Sequence, residues 1–91
     1  MLINRVYREV QNGNYYVELW LSEEKNNNTI CIHDNSMGET IFECSSVWDT
    51  DLFKIVRVLN KYKYSHTMKI QDVVKKINRV SRHLKIDTYL F

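Results

Sequence analysis

The sequence predicts a small α+β domain in the order αβββαα, a three-stranded antiparallel sheet with an N-terminal helix and two C-terminal helices. Three observations predict it. Residues 15–44 alternate apolar and polar side chains around turn-forming clusters. Residues 50–84 carry apolar residues at three- and four-residue spacing. The 91-residue chain has no proline and only two glycines, Gly13 and Gly38, each where a turn or a helix end calls for one. That length suits one domain spanning residues 1–91. The scarcity of linker-forming residues confines irregular structure to short ends and the polar run from Glu23 to Asn28.

Leu2, Ile3, Val6, Tyr7 and Val10 recur at helical spacing, which predicts a helix ended by Gly13 in the left-handed conformation. Asn12-Gly13 is also a common hairpin turn, so Asn4–Gln11 as a strand paired to the next segment is the alternative. Tyr15–Leu21 alternates as a strand, with Tyr15, Val17, Leu19 and Leu21 on one face. Thr29–Asp34 and Glu39–Cys44 are two short strands around the turn Asn35-Ser36-Met37-Gly38. Pairing across that turn sets Ile32 opposite Ile41, and Cys31 opposite Phe42 on the other face. Both faces are then partly apolar, and helices are expected on both. Asp49 and Thr50 are N-cap candidates for a helix bearing Leu52, Phe53, Val56 and Leu59. Thr67 is the cap candidate for a last helix whose stripe is Ile70, Val73, Val74, Ile77, Val80 and Leu84. Trp20 and Trp48 are read as core residues, with dimerisation through them as the alternative.

Charge is divided along the chain. Residues 1–53 hold nine carboxylates against three cations, and residues 54–85 hold ten cations against the one acid Asp72, so the net +2 conceals a dipolar molecule. Such a field selects and steers partners without specifying a fold. No apolar run approaches the ~18 residues of a membrane span and no leader pattern opens the chain, which predicts a cytoplasmic protein.

Catalytic patterns are missing. His33, His66 and His83 fall on separate elements with no zinc spacing and no serine–histidine–acid set. Neither glycine belongs to a phosphate-cradling loop. Cys31 and Cys44, as diagonal neighbours ~7–8 Å apart, are expected to be free, buried thiols. A protein that works by binding, with no cofactor or metal, is the expectation.

Met1, Ile3, Asn4, Arg8, Glu9, Asn12, Tyr15, Val17, Leu19, Ile32, Asn35 and Gly38, with the stretch REVQNGNYYVEL at their centre, carry a resemblance. Over residues 1–44 the chain resembles the small phage- and prophage-encoded anti-CRISPR proteins that inhibit type II-A Cas9, in particular the acidic inhibitor from Listeria that mimics DNA. The element order helix, three strands, two helices is that of the family. The resemblance implies a partner, the Cas9–guide RNA complex in a bacterial host cell, whose duplex-reading Arg and Lys would meet acids and amides at one end of the sheet. Carried over by position, the contacts are Asn35 and Gly38, joined by Glu39 and, near the preceding loop, Glu23 and Glu24. The chain departs from the family at Asn14 and Met37, where the family has acids, and at Lys61–Thr67, basic and aromatic where the family is acidic. Duplex mimicry therefore does not carry over whole: the chain uses its acidic half alone, or binds a different surface or effector, or grips guide or scaffold RNA with its basic helices, where Lys63, Tyr64, Arg79 and Arg82 are the candidates for a second contact.

A nucleic-acid-binding protein is the rival reading. Lys54, Arg57, Lys61, Lys63, Lys69, Lys75, Lys76, Arg79 and Arg82 mix with Tyr62 and Tyr64, a combination of cations and stackable rings.

Overall fold

A computed structural model describes residues 4–91. Four antiparallel strands, β1 (Arg5–Asn12), β2 (Tyr15–Leu21), β3 (Asn28–Asp34) and β4 (Glu39–Val47), form one sheet in the order β1-β2-β3-β4. A single 3-10 turn, Asp49–Asp51, leads into α1 (Leu52–Tyr64), and α2 (Ile70–Val80) follows. A second 3-10 turn, Thr88–Leu90, lies near the C-terminus. The expected αβββαα order is corrected to ββββαα. The segment expected as an N-terminal helix is a strand, and the sheet has four strands, not three.

The physical reason lies in a bulge. Val6 pairs with Trp20 and Arg8 with Leu19, so Tyr7 is an extra residue in β1. An inserted residue breaks the period of two. The spacing of Val6, Tyr7 and Val10 then imitates a helical stripe, although Val6 and Tyr7 are exposed and only Val10 is buried. Leu2 and Ile3, which completed the stripe, lie outside the described residues. Asn12 pairs with Tyr15 across Gly13 and Asn14. Gly13 has φ +60° and Asn14 does not share the positive φ, which is the pattern of a type II′ hairpin turn. Glycine is favoured there because a Cβ opposes left-handed backbone.

A second bulge, at Ile41, corrects the register of the β3–β4 hairpin. Ile32 pairs with Phe42, His33 with Thr40 and Cys31 with Glu43. Phe42 therefore turns to the core face. Cys44 lies opposite Ile30, on the face away from Cys31, and both thiols are free. Gly38, at φ +66°, closes the four-residue turn. Asp34 Oδ1 accepts from the Ser36 N–H at 3.0 Å and its hydroxyl at 2.6 Å.

Val10, Val17, Leu19, Ile30, Ile32 and Val47 line one face of the sheet and pack against Ile55, Leu59, Tyr62, Val73, Val74 and Ile77 of the helices. Both helices lie on this face, which corrects the expectation of helices on two sides. The opposite face carries Glu9, Gln11, Tyr16, Glu18, Trp20, Thr29, Cys31, His33 and Glu43. Among the described residues neither helix covers it. Trp20 stands half-buried on that face and Trp48 is 42 % exposed, so neither is a core residue.

Polar contacts fix the layers. Arg8 donates to Asn60 Oδ1, and Asn12 Nδ2 donates to the carbonyls of Tyr62 at 2.5 Å and Ser65 at 3.2 Å, tying β1 to the end of α1. The Tyr62 hydroxyl donates back to the Asn12 carbonyl, and burial raises its pKa. At the other end Asp51 Oδ2 accepts from Ser81 Oγ at 2.8 Å, joining the start of α1 to the end of α2. Thr67 does not cap α2. Ser65 Oγ accepts from the N–H groups of Thr67 and Met68, and α2 begins at Ile70, where Asp72 Oδ2 accepts from Lys69 N at 3.1 Å. Leu84 is buried, but the helix has ended at Val80, so it reaches the core from the C-terminal segment.

Candidate nucleic-acid interface

The charge division along the chain becomes a division between layers. Glu9, Glu18 and Glu43 stand on the open sheet face. Glu18 meets His33 Nε2 at 2.7 Å, and His33 Nδ1 lies 2.9 Å from Thr40 Oγ1. The Tyr16 hydroxyl donates to Glu9, and that bond, with burial and the nearby carboxylates, pushes its pKa to about 12. Cys31 Sγ lies 3.4 Å from Glu43 Oε1. Burial, then this bond and the Glu43 charge, push the thiol to about 12, so it stays protonated at neutral pH. Among the described residues no group of three or more His, Cys, Asp or Glu could hold a metal ion.

The helical layer is the cationic one. Lys54, Arg57 and Lys61 recur at i, i+3 and i+7 along α1, and Lys76 and Arg79 at i and i+3 along α2. Helical geometry turns each set to one side. The two sides face each other across a groove of about 300 Å³ whose floor includes Val58 and Val80. Five cations line it and no carboxylate does. Among the described residues Arg57, Lys61, Lys76 and Arg79 form no ion pair, while Lys54 lies 4.0 Å from Asp51. Cations held together without counter-charges repel one another, and a bound polyanion relieves that repulsion.

The groove continues past both ends of α2. Lys75, Lys76 and Arg79 flank a depression beside Ser65 and Thr67, with the one carboxylate of Asp72 in its wall. In the other direction Lys54, Arg79 and Val80 are shared with a cavity of about 530 Å³ that adds Trp48, Arg82 and His83. The His83 ring lies against Trp48 with centroids 3.2 Å apart and planes at 35°. Its Nδ1 is 3.8 Å from Asp51 Oδ2.

The residues expected to form contacts are only partly brought together. Asn35, Gly38 and Glu39 are exposed in the β3–β4 turn, where Asn35 N donates to Asn14 O at 2.7 Å and its Nδ2 to Gln11 Oε1 at 2.9 Å. Glu23 and Glu24 are exposed in the β2–β3 loop, at the opposite end of the sheet. The seven residues of β2 between the two ends span ~20 Å. The acidic candidates thus form two separate groups. The basic candidates divide in the same way. Lys63 and Tyr64 end α1 beside the β1–β2 turn, with Lys63 Nζ 5.5 Å from the Tyr64 ring centre. Arg79 and Arg82 lie at the Trp48 end. Lys54, Arg57, Lys61 and Lys76 were legible from the sequence, whereas Trp48 was read as a core residue or a dimer contact and His83 was not read as part of a site.

Fold and groove together define a two-layer α+β protein with a cationic helical face and an acidic sheet face. No family model matches the chain, and neither a curated protein nor a solved structure does. Among the described residues no helix is long and apolar enough to cross a membrane.

Proposed function

We propose that this protein acts by binding, and that the groove between α1 and α2 holds the backbone of a nucleic acid in the cytoplasm. One observation carries the reading. Five cations converge on an apolar-floored groove that no carboxylate enters. The acidic sheet face opposes approach from the other side, so the field favours one orientation of encounter. Five neutralised phosphates on a single strand give a slope of log affinity against log salt of about −3.5, and about a hundredfold loss of affinity between 50 and 200 mM salt. Fluorescence anisotropy with a labelled 12-nucleotide strand measures it. The double substitution Lys76→Glu, Arg79→Glu is expected to abolish binding without moving the melting temperature. Undiminished binding by that variant, or no binding at 50 mM salt, removes the proposal.

A second reading is favoured by the twelve matching residues in 1–44 and by the exposure of Asn35, Gly38 and Glu39 in one turn. In it the protein inhibits a CRISPR effector of the type II-A Cas9 class, with the turn against protein and the groove against guide RNA. The shared element order no longer supports this reading, because β1 stands where the family has a helix. Gel filtration with guide-loaded Cas9, with and without target duplex, tests it. Co-elution that excludes the duplex supports competition, and co-elution beside bound duplex supports a block at a later step. Absence of co-elution ends this reading and leaves the first intact.

A further inference from the structure

We infer that the nucleic acid held by this groove is single-stranded, and that one of its bases stacks on Trp48. The inference rests on the groove reading and deepens it. Lys54, Arg79 and Val80 line both the inter-helix groove and the Trp48 cavity, so the two form one continuous track. A backbone seated between the helices leads directly to the indole.

Trp48 is a large apolar side chain left 42 % exposed at the end of a cationic track. His83 lies against one part of the ring, and the exposed part of the indole is open to a ligand. Arg79 and Arg82 flank the same cavity and supply planar cations that stack on bases as well as on phosphates. Aromatic faces beside a cationic groove are the arrangement that holds single strands, because an unpaired base offers its π-face and a paired one offers only its edge. Size points the same way. Cavities of about 300 and 530 Å³ accept groups the size of a nucleotide. A duplex presents only its backbone and the edges of its bases to such a cavity. The Asp51 carboxylate in the cavity wall does not repel the strand strongly, because Ser81, Lys54 and His83 already face it.

The test uses the full chain with Trp20→Phe, which leaves Trp48 as its one tryptophan. Three probes of equal strand length are titrated, an unstructured ten-nucleotide thymidine strand, the same backbone with every base removed, and a ten-base-pair duplex. The thymidine strand is expected to quench Trp48 and to bind about tenfold more tightly than the abasic strand, the scale of one base–aromatic stack. Trp48→Ala should erase that difference and leave abasic affinity unchanged, while Trp48→Tyr should restore most of it. Equal affinity for the two strands, an equal loss for both in Trp48→Ala, or tighter duplex binding without quenching overturns the inference while the groove reading stands. If none of the three probes binds, the groove reading fails and the inference falls with it.

Discussion

Asn28 is the buried amide that joins the β2–β3 loop to the segment carrying Trp48. It is 1 % exposed and makes three hydrogen bonds. Its Nδ2 donates to the Val47 carbonyl at 3.0 Å and to Asp49 Oδ1 at 2.6 Å, and its Oδ1 accepts from Ser22 N at 3.1 Å. Asn28→Ala removes all three. Each is worth roughly 0.5–1.5 kcal/mol net, and the Val47 carbonyl, buried beneath the loop, adds the cost of an unmet acceptor. The sum is about 3–4 kcal/mol, a large part of the ~5–15 kcal/mol that holds a small domain together. For a chain of this length that is a fall of about 15–25 °C in melting temperature, measured by circular dichroism. Asn28→Asp sharpens the test. It keeps the acceptor for Ser22 but places a carboxylate against the Asp49 carboxylate, so at pH 7 it should be less stable than the alanine variant. The introduced group would have a folded-state pKa above its unfolded value. Stability is therefore lost as pH rises through that raised pKa and returns under acid, where the protonated carboxyl donates to Asp49. A fall of under about 5 °C for Asn28→Ala, or an Asn28→Asp protein as stable as the parent at pH 7, refutes the reasoning.

Alkaline titration gives an independent check on the open sheet face. Cys31 and Tyr16 are both raised to about 12, from ordinary values of 9 and 10. The folded state then holds protons that the unfolded chain releases, so stability should fall between pH 9 and 12, and Cys31→Ser with Tyr16→Phe should flatten that fall in pH-dependent melts. Cys44, half-buried beside Ser46, should be alkylated by iodoacetamide at pH 9 well before Cys31, as read by peptide mass. Gly13→Ala meets no atom but must hold φ +60°, and should cost about 1 kcal/mol in chemical denaturation. Leu19→Ala, at a fully buried position in the centre of the sheet, should cost about 2–5 kcal/mol by the same assay.

The two topological errors in the sequence-based fold trace to single inserted residues. Tyr7 put two apolar residues side by side and disguised a strand as a helix. Ile41 shifted Phe42 from the open face to the core, and with it went the reason to expect helices on both sides. Strand β2 and both C-terminal helices were legible because each follows one period, although the apolar stripe ran on to Leu84 past the helix end at Val80, and the Asn35–Gly38 turn was legible from its turn-forming residues. The site was legible in part for the same reason. Lys54, Arg57 and Lys61 mark a helix face by spacing, whereas Trp48 joins them only through the turn at Asp49–Asp51 and the return of His83 from beyond α2. Contacts of that kind have no local signature.

The meander also governs the order in which the chain can be assembled. Every strand pairs with its neighbour in sequence, across loops of two, six and four residues. The ties that close α1 over β1, such as Asn12 to Tyr62, span fifty residues. On a ribosome adding ~5–20 residues per second, the stretch from Leu52 to Phe91 takes ~2–8 s to synthesise. The face bearing Val10, Val17, Leu19, Ile30 and Ile32 has no helix to cover it in that interval. Arg5, Arg8 and Glu9 on one edge strand, and Glu39 and Glu43 on the other, then guard a nascent sheet against pairing with its neighbours.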